Sequence, residues 1–204
     1  MRSADVATLL RMPLLLATAY AIFAKANAVL VVALLAVLFL SDAADGYLAT
    51  LGKHSFTDYV RYLLRKATGS KKGEKKFPRK MPAHAAYIDL AADRIIEYVL
   101  WLLFTQLQLL PWFIIAIIFV RNTIADFLVI RKKKTFSKMH SAFGKIASSH
   151  LSRGVYGALK AINFAYLSLV VVAGWPISIG YSLTLLVVAF SLLRGAAEIY
   201  ESLL

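Results

Sequence analysis

Four aspartates fall in two close pairs, each set in apolar sequence. The first pair lies in Ser41-Asp42-Ala43-Ala44-Asp45-Gly46-Tyr47-Leu48-Ala49 and the second in Ala86-Tyr87-Ile88-Asp89-Leu90-Ala91-Ala92-Asp93-Arg94. On helices, separations of three and four residues put both members of a pair on one face. Carboxylates beside apolar spans are costly unless something neutralises them. Hard divalent cations, which prefer carboxylate oxygens, are the natural neutraliser. Two such metals can clamp a transferring phosphoryl group. The plainer reading is four helix-end carboxylates, each paired with a nearby Lys or Arg. Two per helix, all on one side of a membrane, would argue against it.

The elements that must position these residues are read from hydropathy. The chain has 204 residues, of which 60% are hydrophobic, and a mean hydropathy of +0.67. Those values exceed an ordinary soluble domain and indicate an integral membrane protein. Spans are expected at 7–23, 28–40, 85–104, 112–130, 155–172 and 177–193. The first carboxylate pair ends the second span, and the second pair opens the third. The expected fold is therefore all-α, one membrane domain over 1–204 with six transmembrane helices. Lys25 and Asn27 mark a tight turn, Pro13 falls in the first turns of its span, and Gly174-Trp175-Pro176 marks the last turn. The first apolar run lacks the small-residue cleavage pattern of a signal peptide and is expected to stay.

Charge sets the orientation. Net charge is +13, and of the 24 Lys and Arg, ten lie in 51–84 and seven in 131–153. The other turns are nearly uncharged, with Trp112 and Trp175 as interface anchors. The positive-inside rule then puts both termini in the cytoplasm of a cell (inner) membrane, and both aspartate pairs on that side. The basic balance is read as loops beside anionic membrane lipid, not as a nucleic-acid surface. Residues 51–84 form a basic inserted loop. Its 57–66 stretch has the spacing of an interfacial amphipathic helix, and 69–76 reads as a mobile loop.

The two aspartate segments resemble the signature of the CDP-alcohol phosphatidyltransferase family, D-x2-D-G-x2-A-R-x8-G-x3-D-x3-D. The first half is matched by Asp42, Asp45, Gly46 and Ala49, with Thr50 where the family has Arg. The second half is matched by Asp89 and Asp93, with Ala85 where the family has Gly. Residues 51–84 fill a gap that is much shorter in the family. The resemblance implies a polar cavity open to the cytoplasm and a homodimer. It implies phospholipid biosynthesis: transfer of the phosphatidyl (or archaetidyl) group of a CDP-activated lipid, such as CDP-diacylglycerol, to an alcohol, releasing CMP. Two Mg²⁺ (or Mn²⁺) would be held by Asp42, Asp45, Asp89 and Asp93, with Asp93 also the general base. Gly46 and Ala49 would let the nucleotide approach the backbone. Lys53, Arg61 and Arg94 are the candidates to replace the Arg absent at Thr50.

The acceptor is read from cations. Arg121 is either a snorkelling residue, a partner for Asp126, or an acceptor-phosphate clamp. Lys145 and Arg153 are either lipid-facing charge or further phosphate ligands. The resemblance favours the phosphate role, since relatives place an Arg in the fourth span and Gly-Lys before the fifth. Arg11 has similar status. Thr8-Leu9-Leu10-Arg11 and Gly144-Lys145 look like phosphatidylglycerophosphate synthases, which points to glycerol 3-phosphate. Asp93-Arg94-x2-Glu97 looks like inositol-phosphate-transferring relatives, so inositol phosphate or another alcohol stays open. Glu97 reads equally as a partner behind the aspartates and as an interhelical ion pair.

Other classes are mostly excluded. Cysteine is absent, which removes disulfides and thiolate metal sites. His54, His84, His140 and His150 are read in polar loops, with no zinc-binding spacing. No G-x-S-x-G, Walker A or dinucleotide glycine pattern occurs. A cation transporter built on intramembrane carboxylates and an inactive scaffold of the same fold remain as alternatives. A transporter would need its carboxylates near the bilayer midplane, often at broken helices.

Overall fold

Apolar runs separated by short turns fold into helices. The computed structural model describes residues 3–48, 83–132 and 150–203, and these are all-helical apart from their turns. The helices are α1 (Ser3–Phe23), α2 (Ala28–Leu48), α3 (Ala83–Gln106), α4 (Trp112–Lys132), α5 (His150–Ala173) and α6 (Ile177–Leu203). A described helix lies over each expected span. Residues 49–82 and 133–149 lie outside the described residues. That includes nearly all of the basic insertion, with Ala49, Thr50, Lys53 and Arg61, and also Gly144 and Lys145.

Three differences from the expected boundaries have local causes. α1 begins at Ser3, so Pro13 falls inside the helix and not in its first turn. A proline there removes one backbone hydrogen bond from the helix ladder. α2 continues past the apolar run to Leu48, so Asp42 and Asp45 are within the helix. His84 and His150 lie in the opening turns of α3 and α5, not in loops.

The turns are closed by identifiable bonds. Lys25 is left-handed (φ 52°). Its N–H donates to Ile22 O at 3.0 Å, and the Ala26 N–H donates to Ala21 O at 2.9 Å. That pair of bonds satisfies the last carbonyls of α1. Asn27 Oδ1 then accepts the Val29 N–H at 2.8 Å, capping α2. Gln108 (φ 59°) closes α3 in the same way, with bonds from Gln108 N to Thr105 O and from Leu109 N to Phe104 O, both 3.0 Å. At the end of α5, Gly174 takes φ 68°, where the lack of a Cβ removes the strain.

The chain divides into two compact units, one comprising 1–103 with 171–173 and the other 104–170 with 174–204. In the first unit α1 packs on α2. Leu15, Thr18 and Ile22 are buried on α1, and Val31, Leu35 and Leu38 on α2, each at helical spacing. The Thr18 hydroxyl is satisfied within its helix by Leu14 O at 2.7 Å. α3 buries Ala92, Ile96 and Leu100 four residues apart.

In the second unit α4 packs on α6, with Ile114, Ile118 and Ala125 buried on α4 and Val187 and Ala197 on α6. Phe104 stacks on Phe164 of α5 with centroids 6.1 Å apart. A Cβ at Gly180 would stand 3.0 Å from Leu167 Cδ2, so α5 and α6 approach closely there. Their turn is clasped by Tyr166, whose hydroxyl donates to Pro176 O at 3.0 Å. Its ring meets Trp175 edge-on at 5.3 Å.

Apolar side chains also face outward. Leu16, Tyr20, Val29, Leu40, Leu185 and Leu193 are all exposed. Within α5 and α6, Gly154–Ala173 and Ile177–Ala197 are long and apolar enough to cross a membrane. The apolar stretches described in α1 and α2, Leu10–Phe23 and Ala28–Ser41, are shorter.

Candidate functional site

Unit 1 carries both aspartate pairs. Asp42 and Asp45 occupy the last turns of α2, and Asp89 and Asp93 the first three turns of α3. Because the helical backbone is continuous through each pair, the two positions of a pair share a face. The side chains of Asp42, Asp45 and Asp89 lie outside the described residues. Among described side chains, no group of three or more His, Cys, Asp or Glu could hold a metal ion. The Ser41 hydroxyl, just before the first pair, donates to Leu38 O of its own helix at 2.7 Å.

Asp93 is described in full, and its surroundings were not legible beforehand. Arg11 Nη2 of α1 contacts Asp93 Oδ1 at 2.9 Å. The Arg11 side chain is only 4% exposed, whereas that of Asp93 is 44% exposed. The contact is short enough for a charge-assisted hydrogen bond. A buried guanidinium without an anion would be strongly disfavoured, so Asp93 is part of what permits Arg11 at this position. The general signal was present in the sequence: a lone cation in an apolar span requires a counter-charge. Which counter-charge it meets is a tertiary matter.

One turn further along α3, Arg94 Nη1 donates to Glu97 Oε2 at 3.2 Å. Glu97 is buried and Arg94 partly so. This contact is an i,i+3 pair on a single helix, not an interhelical one. It engages the cation of Arg94, one of the candidates to replace the Arg absent at Thr50.

The acceptor residues belong to unit 2. Arg121 of α4 is buried and reaches α6, where its Nε donates to the Ser191 carbonyl at 3.0 Å. Its Nη1 donates to Asn122 Oδ1 at 2.9 Å. Gly195 makes this possible, because a Cβ there would stand 2.8 Å from Arg121 Nε and 2.9 Å from its Cγ. Arg121 therefore enters the protein interior instead of snorkelling outward. Arg153 sits in the first turns of α5, with its side chain outside the described residues.

Sequence reasoning passed over two further polar features of this unit. Tyr156 of α5 has two cations over its ring, Lys160 Nζ at 4.7 Å and Arg194 Cζ at 5.1 Å from the ring centre. It also stacks on Phe190 at 6.0 Å. Asn163 and Thr184, both fully buried, are joined by a hydrogen bond of 3.1 Å between α5 and α6.

The donor chemistry of unit 1 suits a hard divalent cation. Four aspartates are distributed over two helix segments, and Asp93, the one of them whose side chain is described, is partly exposed. A carboxylate offers about four lone-pair sites, of which the Arg11 contact takes one. In comparisons with known proteins, the chain matches no family model and no curated protein.

Proposed function

We propose that the chain is an integral membrane CDP-alcohol phosphotransferase. On this reading six transmembrane helices surround a cytoplasm-facing polar cavity, with both termini cytoplasmic. The observation that carries it is the placement of Asp42 and Asp45 at the end of α2 and of Asp89 and Asp93 at the start of α3, within one compact unit. The membrane-capable lengths of α5 and α6 support the location.

The reaction would join a CDP-activated lipid to a phosphorylated polyol, with glycerol 3-phosphate the preferred acceptor. Mg²⁺ or Mn²⁺ held by Asp42, Asp45, Asp89 and Asp93 would supply neutralisation of the diphosphate charge. Asp93 takes the proton of the acceptor hydroxyl. The acceptor oxygen attacks the lipid-side phosphorus in line as the bond to CMP breaks. The new phosphodiester keeps the lipid, CMP leaves with the bridging oxygen, and the proton passes from Asp93 to water. Gly46 and Ala49 are the proposed backbone approach for the nucleotide. Arg121, Lys145 and Arg153 are the proposed holders of the acceptor's phosphate, by charge and, for the arginines, by paired hydrogen bonds.

The test uses purified protein in detergent with CDP-diacylglycerol and Mg²⁺, adding glycerol 3-phosphate, inositol phosphate, serine or glycerol in turn. CMP release should depend on an acceptor and stop on chelation of the metal. Release that persists in excess chelator would sink the two-metal reading. No release with any acceptor, together with Mn²⁺ uptake into liposomes holding the protein, would replace it with the transporter reading.

A further inference from the structure

We propose that Arg11 positions Asp93 for its work as metal ligand and base, an inference that rests on the transferase reading above. The two residues stand on different helices, α1 and α3, and meet at 2.9 Å through one guanidinium nitrogen and one carboxylate oxygen. Their exposures are unequal. Arg11 is enclosed, at 4%, so packing restricts its long side chain. Asp93, at 44%, reaches the boundary where a substrate could meet it. A fixed donor behind a partly open acceptor is the arrangement that orients a reactive group.

The chemistry favours arginine for the task. Asp has two side-chain torsions, and one directional bond from a planar, rigid donor removes most of their freedom. A lysine ammonium keeps the charge but not the direction. The Arg11 bond takes one of the carboxylate's about four lone-pair sites. Arg11 does not touch substrate on this account and bears on the reaction through Asp93.

The experiment uses the full chain in detergent, as wild type, Arg11→Lys, Arg11→Gln, Asp93→Asn and the Arg11→Gln/Asp93→Asn double variant. Mn²⁺ affinity is read by electron paramagnetic resonance, independently of turnover, and CMP release is measured with CDP-diacylglycerol varied. Arg11→Gln is expected to weaken Mn²⁺ binding and lower kcat, each by about 10–100-fold, the scale seen when a group behind a metal ligand is removed. The CDP-lipid KM should hold. Arg11→Lys should recover part of both losses, and Arg11→Gln should do nothing more once Asp93 is Asn. A lowered melting temperature with intact Mn²⁺ affinity and kcat would make the pair a structural latch and overturn the proposal, as would additive losses in the double variant. If Arg11→Gln does not fold, Arg11→Lys decides, and a change below about twofold in both readouts overturns it. A wild type that binds Mn²⁺ but releases no CMP defeats the transferase reading alone, and the Mn²⁺ comparison still decides Arg11. A wild type that binds no Mn²⁺ defeats both.

Discussion

Arg121 shows how a single missing side chain can position a charge. A guanidinium inside a helical bundle needs acceptors, and the Ser191 carbonyl and Asn122 provide two of them. The approach to α6 runs over Gly195, where any Cβ would collide with Nε and Cγ of Arg121. Gly195→Ala should therefore displace the Arg121 side chain, which is flexible enough to move without unfolding the helix. If Arg121 holds the acceptor's phosphate, this distant-looking substitution should raise the acceptor KM about tenfold, the scale of one charge-assisted hydrogen bond. The CDP-lipid KM should barely change. Paired steady-state kinetics, varying each substrate in turn, make the comparison. A defect confined to the CDP-lipid KM would reassign Arg121 to the diphosphate, and no defect would leave it a bond between α4 and α6.

The α5–α6 pair joins helices by two contrasting means. Gly180 permits a close approach, and Asn163 with Thr184 supplies a buried hydrogen bond. Small residues and interhelical polar pairs are the usual adhesives where lipid removes the hydrophobic drive for association. The two differ in energy. Thr184→Val deletes the hydroxyl with little change of volume and should cost about 0.6 kcal/mol, the mean for such pairs in a membrane. Gly180→Leu forces a side chain into occupied space and should cost about 1–3 kcal/mol. Thermal unfolding in detergent should thus rank Gly180→Leu below Thr184→Val, with both below wild type. A Gly180→Leu variant that melts with the wild type would mean that the helices do not pack closely at that point.

The whole-molecule prediction concerns topology, and the absence of native cysteine makes it direct. Ser70→Cys marks the basic insertion, and Ser178→Cys marks the exposed first turn of α6 beside the Trp175 turn. With six spans and both termini cytoplasmic, these positions face opposite sides of the membrane. A membrane-impermeant maleimide applied to intact cells should label Ser178→Cys, and should label Ser70→Cys only after permeabilisation. Labelling of both from one side would break the six-span arrangement. The aspartate pairs would then no longer be assigned to a common cytoplasmic face.

What could be read from the chain is whatever depends on neighbours in sequence. Apolar runs located all six described helices because burial or lipid exposure rewards them locally. The Asn27 cap and the Gly174 turn follow from side-chain chemistry within a few residues. The spacing of Asp89 and Asp93 placed them one turn apart because α3 is continuous through both. The extension of α2 through Asp42 and Asp45 was less legible, since the apolar signal ends before the helix does. Glu97 pairs with Arg94 of its own helix, a local contact that neither of its two readings had named. Tertiary structure alone brought Arg11 to Asp93, Arg121 to Ser191 over Gly195, and Arg194 to the ring of Tyr156, whereas Lys160 lies one turn from Tyr156 on the same helix. Helical periodicity states which residues share a face. Which face of another helix they meet is set by how side chains far apart in sequence fill space together.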